Sequence, residues 1–275
     1  MSSRSNILPG VANARELGGI QIGSRRVKSG LLIRTGQLTQ ACPEALGALQ
    51  TRYRVQTVVD FRMSAEHQAL PDPVIPGAKK LHLPPVEMED MLLGVDPALV
   101  EKYGNPNMDR MTLFTVSYEN GMLSDRLYEK FLLSDRGKRA WRTFFEALLA
   151  LEEGRAILWH CTDGKDRTGC AAMLTLFALG AEEGVVMRDY LLTNEYNALR
   201  LNAIRQKILP LGWPEEKVTA LLFMSGGVAK AYMTNAIRAL LADYGSVLAY
   251  LKQELGVGNA EIAALRQMFL TAEMP

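Results

Sequence analysis

The stretch from Ala156 to Leu179 constrains the fold of this chain more than any other. A short apolar run, Ala156-Ile157-Leu158-Trp159, passes into ten mostly polar residues, His160-Cys161-Thr162-Asp163-Gly164-Lys165-Asp166-Arg167-Thr168-Gly169, and these into an apolar run that ends near Gly180. The first run has the length and character of a buried strand, and Thr168 to Leu179 those of a buried helix. An apolar strand feeding a buried helix through a tight polar loop belongs to α/β architecture.

The rest of the chain agrees. Gly30-Leu31-Leu32-Ile33-Arg34 and the β-branched run Val55-Gln56-Thr57-Val58-Val59-Asp60 predict strands, as does Lys80-Leu81-His82-Leu83, which Pro84-Pro85 stops. A helix is predicted from Pro43, with proline in its first turn, and another across 126–153, where Tyr128, Phe131 and Leu132 share one face. Beyond Gly180, helical segments are predicted near 183–208, 214–223, 227–243, 245–255 and 259–271, punctuated by Gly212, Gly226-Gly227, Gly245 and Gly256. The expected fold is therefore a single α/β domain over 1–275, with a central, mostly parallel sheet flanked by helices and a helical C-terminal part. Residues 84–125, rich in methionine and holding the turn Gly104-Asn105-Pro106-Asn107, form a less regular insert of the kind that borders a site.

Composition narrows the function. A hydrophobic fraction of 48% and a charged fraction of 22% suit a globular protein with a full core. A formal net charge of +1 offers no field for nucleic acid, so any anion must be recognised locally. No stretch is apolar for long enough to span a bilayer, and the first residues lack a signal peptide's apolar run. Cys42, Cys161 and Cys170 fit neither a disulfide framework nor a zinc pattern. A reducing, cytoplasmic setting is expected, secretion without a signal peptide remaining open, and neither metal nor cofactor is called for.

Cys161 and Arg167 stand five residues apart between the predicted strand and helix. A strand-to-helix turn aims successive backbone N–H groups into one concavity, and the helix N-terminus adds partial positive charge. That arrangement binds a phosphate dianion and favours a thiolate. Arg167 can grip two phosphate oxygens, Gly164 allows close backbone approach, and Thr168 can offer its hydroxyl to the thiolate. Thr162, Asp163 and Lys165 complete the loop, which His160 orients. The expected chemistry is attack of Cys161 on phosphorus, then hydrolysis of the phosphocysteine. A nucleotide-binding P-loop is disfavoured, since Lys165 is followed by Asp166 and the upstream glycine is missing. A sulfur-transfer or arsenate-reducing enzyme and a non-catalytic phosphate-binding module are the rival expectations.

The loop resembles the active-site signature of the protein tyrosine phosphatase superfamily, and most closely its bacterial tyrosine/lipid phosphatase branch, which has mycobacterial members. Further motifs carry the likeness: Asn13-Ala14-Arg15-Glu16-Leu17-Gly18-Gly19, Arg34-Thr35-Gly36-Gln37-Leu38, Val59-Asp60-Phe61-Arg62 and Tyr190-Leu191-Leu192-Thr193-Asn194. The segment Cys161-Thr162-Asp163-Gly164-Lys165-Asp166-Arg167 is also similar to the loop of myotubularin-type lipid phosphatases. The resemblance implies a cofactor-free phosphatase acting on phosphotyrosine, with phosphoserine, phosphothreonine and phosphoinositides as further substrates, and helices over about 193–243 closing as a lid.

Transfer of phosphate needs a carboxylic acid to protonate the leaving oxygen. Asp166 is the donor the resemblance implies, with Asp60 the alternative and Asp163, Glu87 and Asp90 also in range of the argument. Lys165 either meets a second substrate phosphate or balances Asp163 and Asp166. Arg15, Arg34 and Arg62 are each expected to pair with Asp60, Glu16 or a helix C-terminus, with contact to substrate phosphate the alternative. His67 and His82, which show no partner spacing, are expected to be surface or core polar residues, and Cys170 to be buried packing, with a protective disulfide to Cys161 the alternative. The series Met88, Met91, Met108, Met111 could line an apolar entrance.

Overall fold

The computed structural model describes residues 6–93, 95–98, 101 and 110–272. A five-stranded sheet runs β1-β4-β7-β5-β6, formed by β1 (Arg15–Glu16), β4 (Leu32–Thr35), β7 (Ala156–His160), β5 (Val55–Asp60) and β6 (Lys79–His82). Only the β1–β4 pair is antiparallel; β4, β7, β5 and β6 lie parallel. A small hairpin of β2 (Gln21–Ile22) and β3 (Arg25–Arg26) stands beside it. The expected fold class is therefore the observed one, with α1 (Pro43–Thr51) and α2 (Ser64–Ala69) between the early strands and the remaining helices around the sheet.

Every residue of β7 is buried. A central parallel strand is covered on both faces, which is why Ala156-Ile157-Leu158-Trp159 reads as continuously apolar and does not alternate. On one face, Ile33, Val58 and Leu158 pack with Leu49 of α1. On the other, Trp159 and Phe61 meet Trp141 and Phe144 of α6 (Asp135–Leu149), with α7 (Asp166–Leu179) buried along nearly its whole length beside them.

The structure departs from the sequence expectations in its breaks. The single helix expected over 126–153 is two, α5 (Leu127–Leu133) and α6, because the Ser134 side chain caps α6 by accepting from the Gly137 amide at 3.1 Å. The segment 183–208 likewise divides at Asn197 into α8 (Glu183–Tyr196) and α9 (Ala198–Ile208). Helix α7 begins two residues earlier than expected, at Asp166. The insert, expected to be irregular, holds α3 (Met88–Leu92) and the ten-residue α4 (Arg110–Glu119); its turn at 104–107 lies outside the described residues.

Helix α4 contributes Phe114 to a separate apolar cluster with Ile208 of α9 and Val218 and Leu221 of α10 (Glu215–Met224). The insert and part of the C-terminal helices are thus one packed unit, joined across about a hundred residues of chain. Helices α11 (Lys230–Tyr244), α12 (Val247–Leu255) and α13 (Asn259–Phe269) return to the main core, and Val27 bridges Leu270. Among the described residues, no helix is long and apolar enough to cross a membrane.

Candidate active site

The polar loop leaves the carboxyl end of β7, between the ends of β4 and β5, where ligands of parallel sheets are commonly held. It is pinned on both sides: the Gln37 amide donates to the Thr162 carbonyl at 3.0 Å, and the Phe61 amide to the His160 carbonyl at 2.9 Å. Gly164 has φ +67°, and a Cβ there would lie 2.5 Å from the Gly36 nitrogen and from the Thr35 carbonyl carbon and oxygen. Only glycine fits that conformation against that neighbouring backbone.

The consequence is a concavity of donors. The Gly164 carbonyl is drawn outward by the Asn13 Nδ2 (2.8 Å) and an Arg34 nitrogen (3.0 Å). Among the described residues, the backbone amides of residues 162–168 donate to no protein acceptor. Those amides, at the N-terminus of α7, are the groups an anion would satisfy.

Cys161 (2% exposed) and Arg167 (9%) stand at the two ends of the loop. The Arg167 guanidinium donates to Glu66 through Nη1 (2.6 Å) and Nη2 (3.2 Å) and to the Phe61 carbonyl at 3.2 Å. Thr162 donates its hydroxyl to the same carboxylate. Burial works against the charge of Arg167, but Cys161 and Glu66 more than offset it and hold the guanidinium above its ordinary value. The Thr168 hydroxyl is buried without a hydrogen-bond partner among the described residues, a spare donor beside the loop.

His160 is fully buried; its Nε2 lies 2.9 Å from Asp72 and its Nδ1 3.8 Å from Asp60. Asp60 accepts from the Arg62 amide (2.9 Å) and its Nη2 (2.7 Å), and lies 2.8 Å from His67 Nδ1. Burial would raise the Asp60 carboxyl, yet Arg62, His160 and His67 hold it well below the ordinary carboxylate range. A group so firmly ionised is a poor proton donor, so the alternative acid of the sequence has a different job. His67 and His82, whose spacing gave no sign of partners, stack with ring centroids 4.3 Å apart, His82 meeting the Arg62 carbonyl at 2.8 Å. Asp60, Asp72 and His160 bring three potential ligand atoms within 4.8 Å, but Arg62 Nη2 already pairs with both carboxylates at 2.7 and 3.0 Å. Glu87 is also engaged, by the Ser64 amide and hydroxyl, and Asp90 by Arg136.

Asp166, in the first turn of α7, accepts from the Tyr128 hydroxyl at 2.5 Å, and Tyr128 meets Tyr190 at 2.8 Å. Its other oxygen lies 2.8 Å from the Lys165 ammonium. Lys165 (4% exposed) also sits 3.9 Å from the centre of the Phe223 ring of α10, a cation–π contact. Lys165 therefore balances Asp166 alone, while Asp163 pairs with Arg200 of α9 at 3.0 Å. Cys170 is buried and free; burial, Asp166 and Cys161 all push its thiol well up. Of the methionines, Met88 is exposed and Met91 packs on the main core, and Met108 lies outside the described residues.

Several of these partners are invisible in the sequence pattern. Glu66, Asp72, Asp189, Arg200 and Phe223 lie far along the chain from the groups they touch. Glu66 alone carries a local signal: it takes the Met63 amide at 2.8 Å as a helix-capping glutamate, three residues into α2. A groove of about 890 Å³ lies at the opposite end of the sheet, between Lys28, Leu149, Arg155 and Phe269, and includes no loop residue.

A cysteine and a braced arginine at the ends of a strand–loop–helix define a class, the α/β proteins with a cysteine-bearing loop at a helix N-terminus. Within that class the chain belongs to the tyrosine phosphatase family, whose description "Tyrosine phosphatase family" matches residues 7–271. It is 30% identical over 273 residues to a Cupriavidus necator protein named as a tyrosine-protein phosphatase by assignment, covering 94% of this chain and 86% of that one. A tyrosine-protein phosphatase of Nostoc commune is 26% identical over 84% of this chain and 70% of its own. The triple specificity protein phosphatase of Mycobacterium tuberculosis is 30% identical over 138 residues, about half of each chain (48% and 50%).

Proposed function

We propose that this chain hydrolyses phosphotyrosine through a phosphocysteine on Cys161. The observation that carries this is the run of backbone amides over 162–168, between Cys161 and Arg167, that have no protein acceptor among the described residues. In the first step the Cys161 sulfur bonds to phosphorus, the P–O bond to tyrosine breaks, and its electron pair leaves on the phenolic oxygen. The amides and Arg167 hold the oxygens whose charge builds up, and Asp166 delivers the proton to the leaving group. Tyr128 holds one Asp166 oxygen; movement of Lys165 toward the substrate phosphate frees the other to carry that proton. In the second step water attacks phosphorus, returns a proton to Asp166, and releases the Cys161 thiolate and inorganic phosphate. His160 fixes the loop from below, and Thr168 donates to the thiolate.

Helices α9 and α10 act as a lid, whereas α11, which lies within the expected 193–243, packs in the main core. Arg200 on Asp163 and Phe223 over Lys165 place α9 and α10 against the loop, and their packing with Phe114 makes the insert part of the same cover. A buried Cys170 with its thiol pushed up is unsuited to resolve a disulfide, which disfavours the redox rival. Phosphoserine, phosphothreonine and phosphoinositides are further proposed substrates, in keeping with a relative named for triple specificity.

The purified protein should release phosphate from a phosphotyrosyl peptide and from p-nitrophenyl phosphate, in the presence of EDTA. Cys161→Ser should reduce this to background. Asp166→Asn should slow phenyl phosphate more than p-nitrophenyl phosphate, because the poorer leaving group needs the proton more. Turnover by the Cys161→Ser protein would overturn the mechanism, and equal slowing of the two esters would remove Asp166 as the acid.

A further inference from the structure

Behind the loop, on the side away from the amide concavity, lies a buried polar cluster that the mechanism does not use. Asn13 (0% exposed), Arg15 (3%), Arg34 (0%) and Asp189 (3%) come from the N-terminal turn, β1, β4 and α8. Arg15 donates to Asp189 through Nε (3.0 Å) and to its carbonyl through Nη2 (2.9 Å). Arg34 gives Nη1 to the other Asp189 oxygen and Nη2 to the Gly164 carbonyl at 3.0 Å. Asn13 accepts from Arg15 on its amide oxygen and gives its Nδ2 to the same Gly164 carbonyl at 2.8 Å.

We propose that Asn13, Arg15, Arg34 and Asp189 are positioning residues that set the orientation of the Gly164–Lys165 peptide and so the affinity of the loop for its anion. The proposal rests on the phosphate-loop function given above and deepens it. Two observations carry it. First, both donors converge on one carbonyl, and turning that oxygen outward turns the Lys165 N–H of the same peptide plane inward. Second, two guanidiniums face one carboxylate, so a formal positive charge is buried uncompensated directly behind the loop. Burial and the neighbouring Arg34 together lower the Arg15 guanidinium to about 10, which leaves it charged near neutrality. A cluster serving stability alone is better neutralised, since an unpaired buried charge is unfavourable. An anion seated across the loop supplies the missing counter-charge.

Asn13→Asp tests this with little change of shape. The carboxylate still receives Arg15 but presents an acceptor to the Gly164 carbonyl. Arg34→Lys keeps the charge, but one ammonium cannot span Asp189 and Gly164 as the guanidinium does. Calorimetric binding of inorganic phosphate should weaken roughly 10- to 100-fold in each, the penalty of displacing a binding group by about an ångström. The kcat/KM for p-nitrophenyl phosphate should fall in parallel, with circular dichroism unchanged. Phosphate should also raise the melting temperature of the parent protein more than that of either variant. Folded variants that bind phosphate and turn over within twofold of the parent would overturn the proposal. So would failure of both to fold, which would assign the cluster to stability. Because phosphate binding is read without turnover, an inactive parent that still loses phosphate affinity on Asn13→Asp would refute the phosphatase mechanism and leave the brace standing.

Discussion

Replacing Glu66 by glutamine probes the part of the site that sequence motifs do not reveal. The Glu66 carboxylate holds Arg167 at 2.6 and 3.2 Å and accepts from the Thr162 hydroxyl and the Met63 amide. Burial would raise this carboxyl, but Arg167 and Thr162 hold it below its ordinary value, so it is ionised throughout the neutral range. Glutamine keeps the length but turns one acceptor into an NH2 that faces a guanidinium N–H. One charge-assisted hydrogen bond is then lost, and the other keeps only the charge of the guanidinium. At about 1.5–3 kcal/mol for a hydrogen bond to a charged group, the loss is roughly 2–3 kcal/mol. The Glu66 side chain is 27% exposed, and solvent screening reduces this to about 1–2 kcal/mol. If Arg167 binds the phosphate, that is roughly a 5- to 30-fold loss in kcat/KM at one decade per 1.4 kcal/mol. Steady-state kinetics with p-nitrophenyl phosphate near pH 7 measure it directly. An unchanged kcat/KM would show that Arg167 needs no brace. A rise would show that Glu66 competes with the substrate for Arg167, the reverse of the role assigned here.

Two further outcomes are expected. Gly164→Ala meets backbone at 2.5 Å in a left-handed conformation. At about 2 kcal/mol or more it should lower the melting temperature by about 4–8 °C and abolish phosphate binding, and a shift under one degree would contradict the close approach. Acid should unfold the protein through its buried carboxylates. Asp60, Glu66 and Asp189 are each held below the ordinary range: burial opposes this, but Arg62, Arg167 and the Arg34–Arg15 pair outweigh it. Folded values below unfolded ones mean the stabilisation is complete above about pH 4 and is lost as pH falls through the folded values. Melting temperature should therefore be flat from neutrality to about pH 5 and drop steeply below about pH 4, less steeply in Asp60→Asn. An equally steep loss in that variant would place the acid sensitivity elsewhere.

Local physics was legible without a structure. The β7 run, the cysteine loop and α7 announce themselves because a doubly covered strand is apolar throughout and a phosphate cradle needs a strand-to-helix turn. Capping hides more easily: a single serine, Ser134, divides a segment whose apolar spacing continues across the break. Lys165 could be narrowed to two roles by sequence, but the choice of Asp166 over Asp163 depended on Arg200, which folding brings to Asp163 from 37 residues away.

By itself, then, the sequence determined the α/β class and the loop from Cys161 to Arg167. Both follow from patterns within a few residues, whereas the need for glycine at 164 comes from the Thr35–Gly36 backbone packed against it. Tertiary structure alone decided which acid braces Arg167, what draws the Gly164 carbonyl outward, and what lies over Lys165. Glu66 reaches Arg167 across 101 positions, Arg34 reaches Gly164 across 130, and α10 lays Phe223 on the loop. Periodicity reports only which face of an element is buried; which charges meet behind the loop is set by the packing that brings distant strands and helices to one end of the sheet.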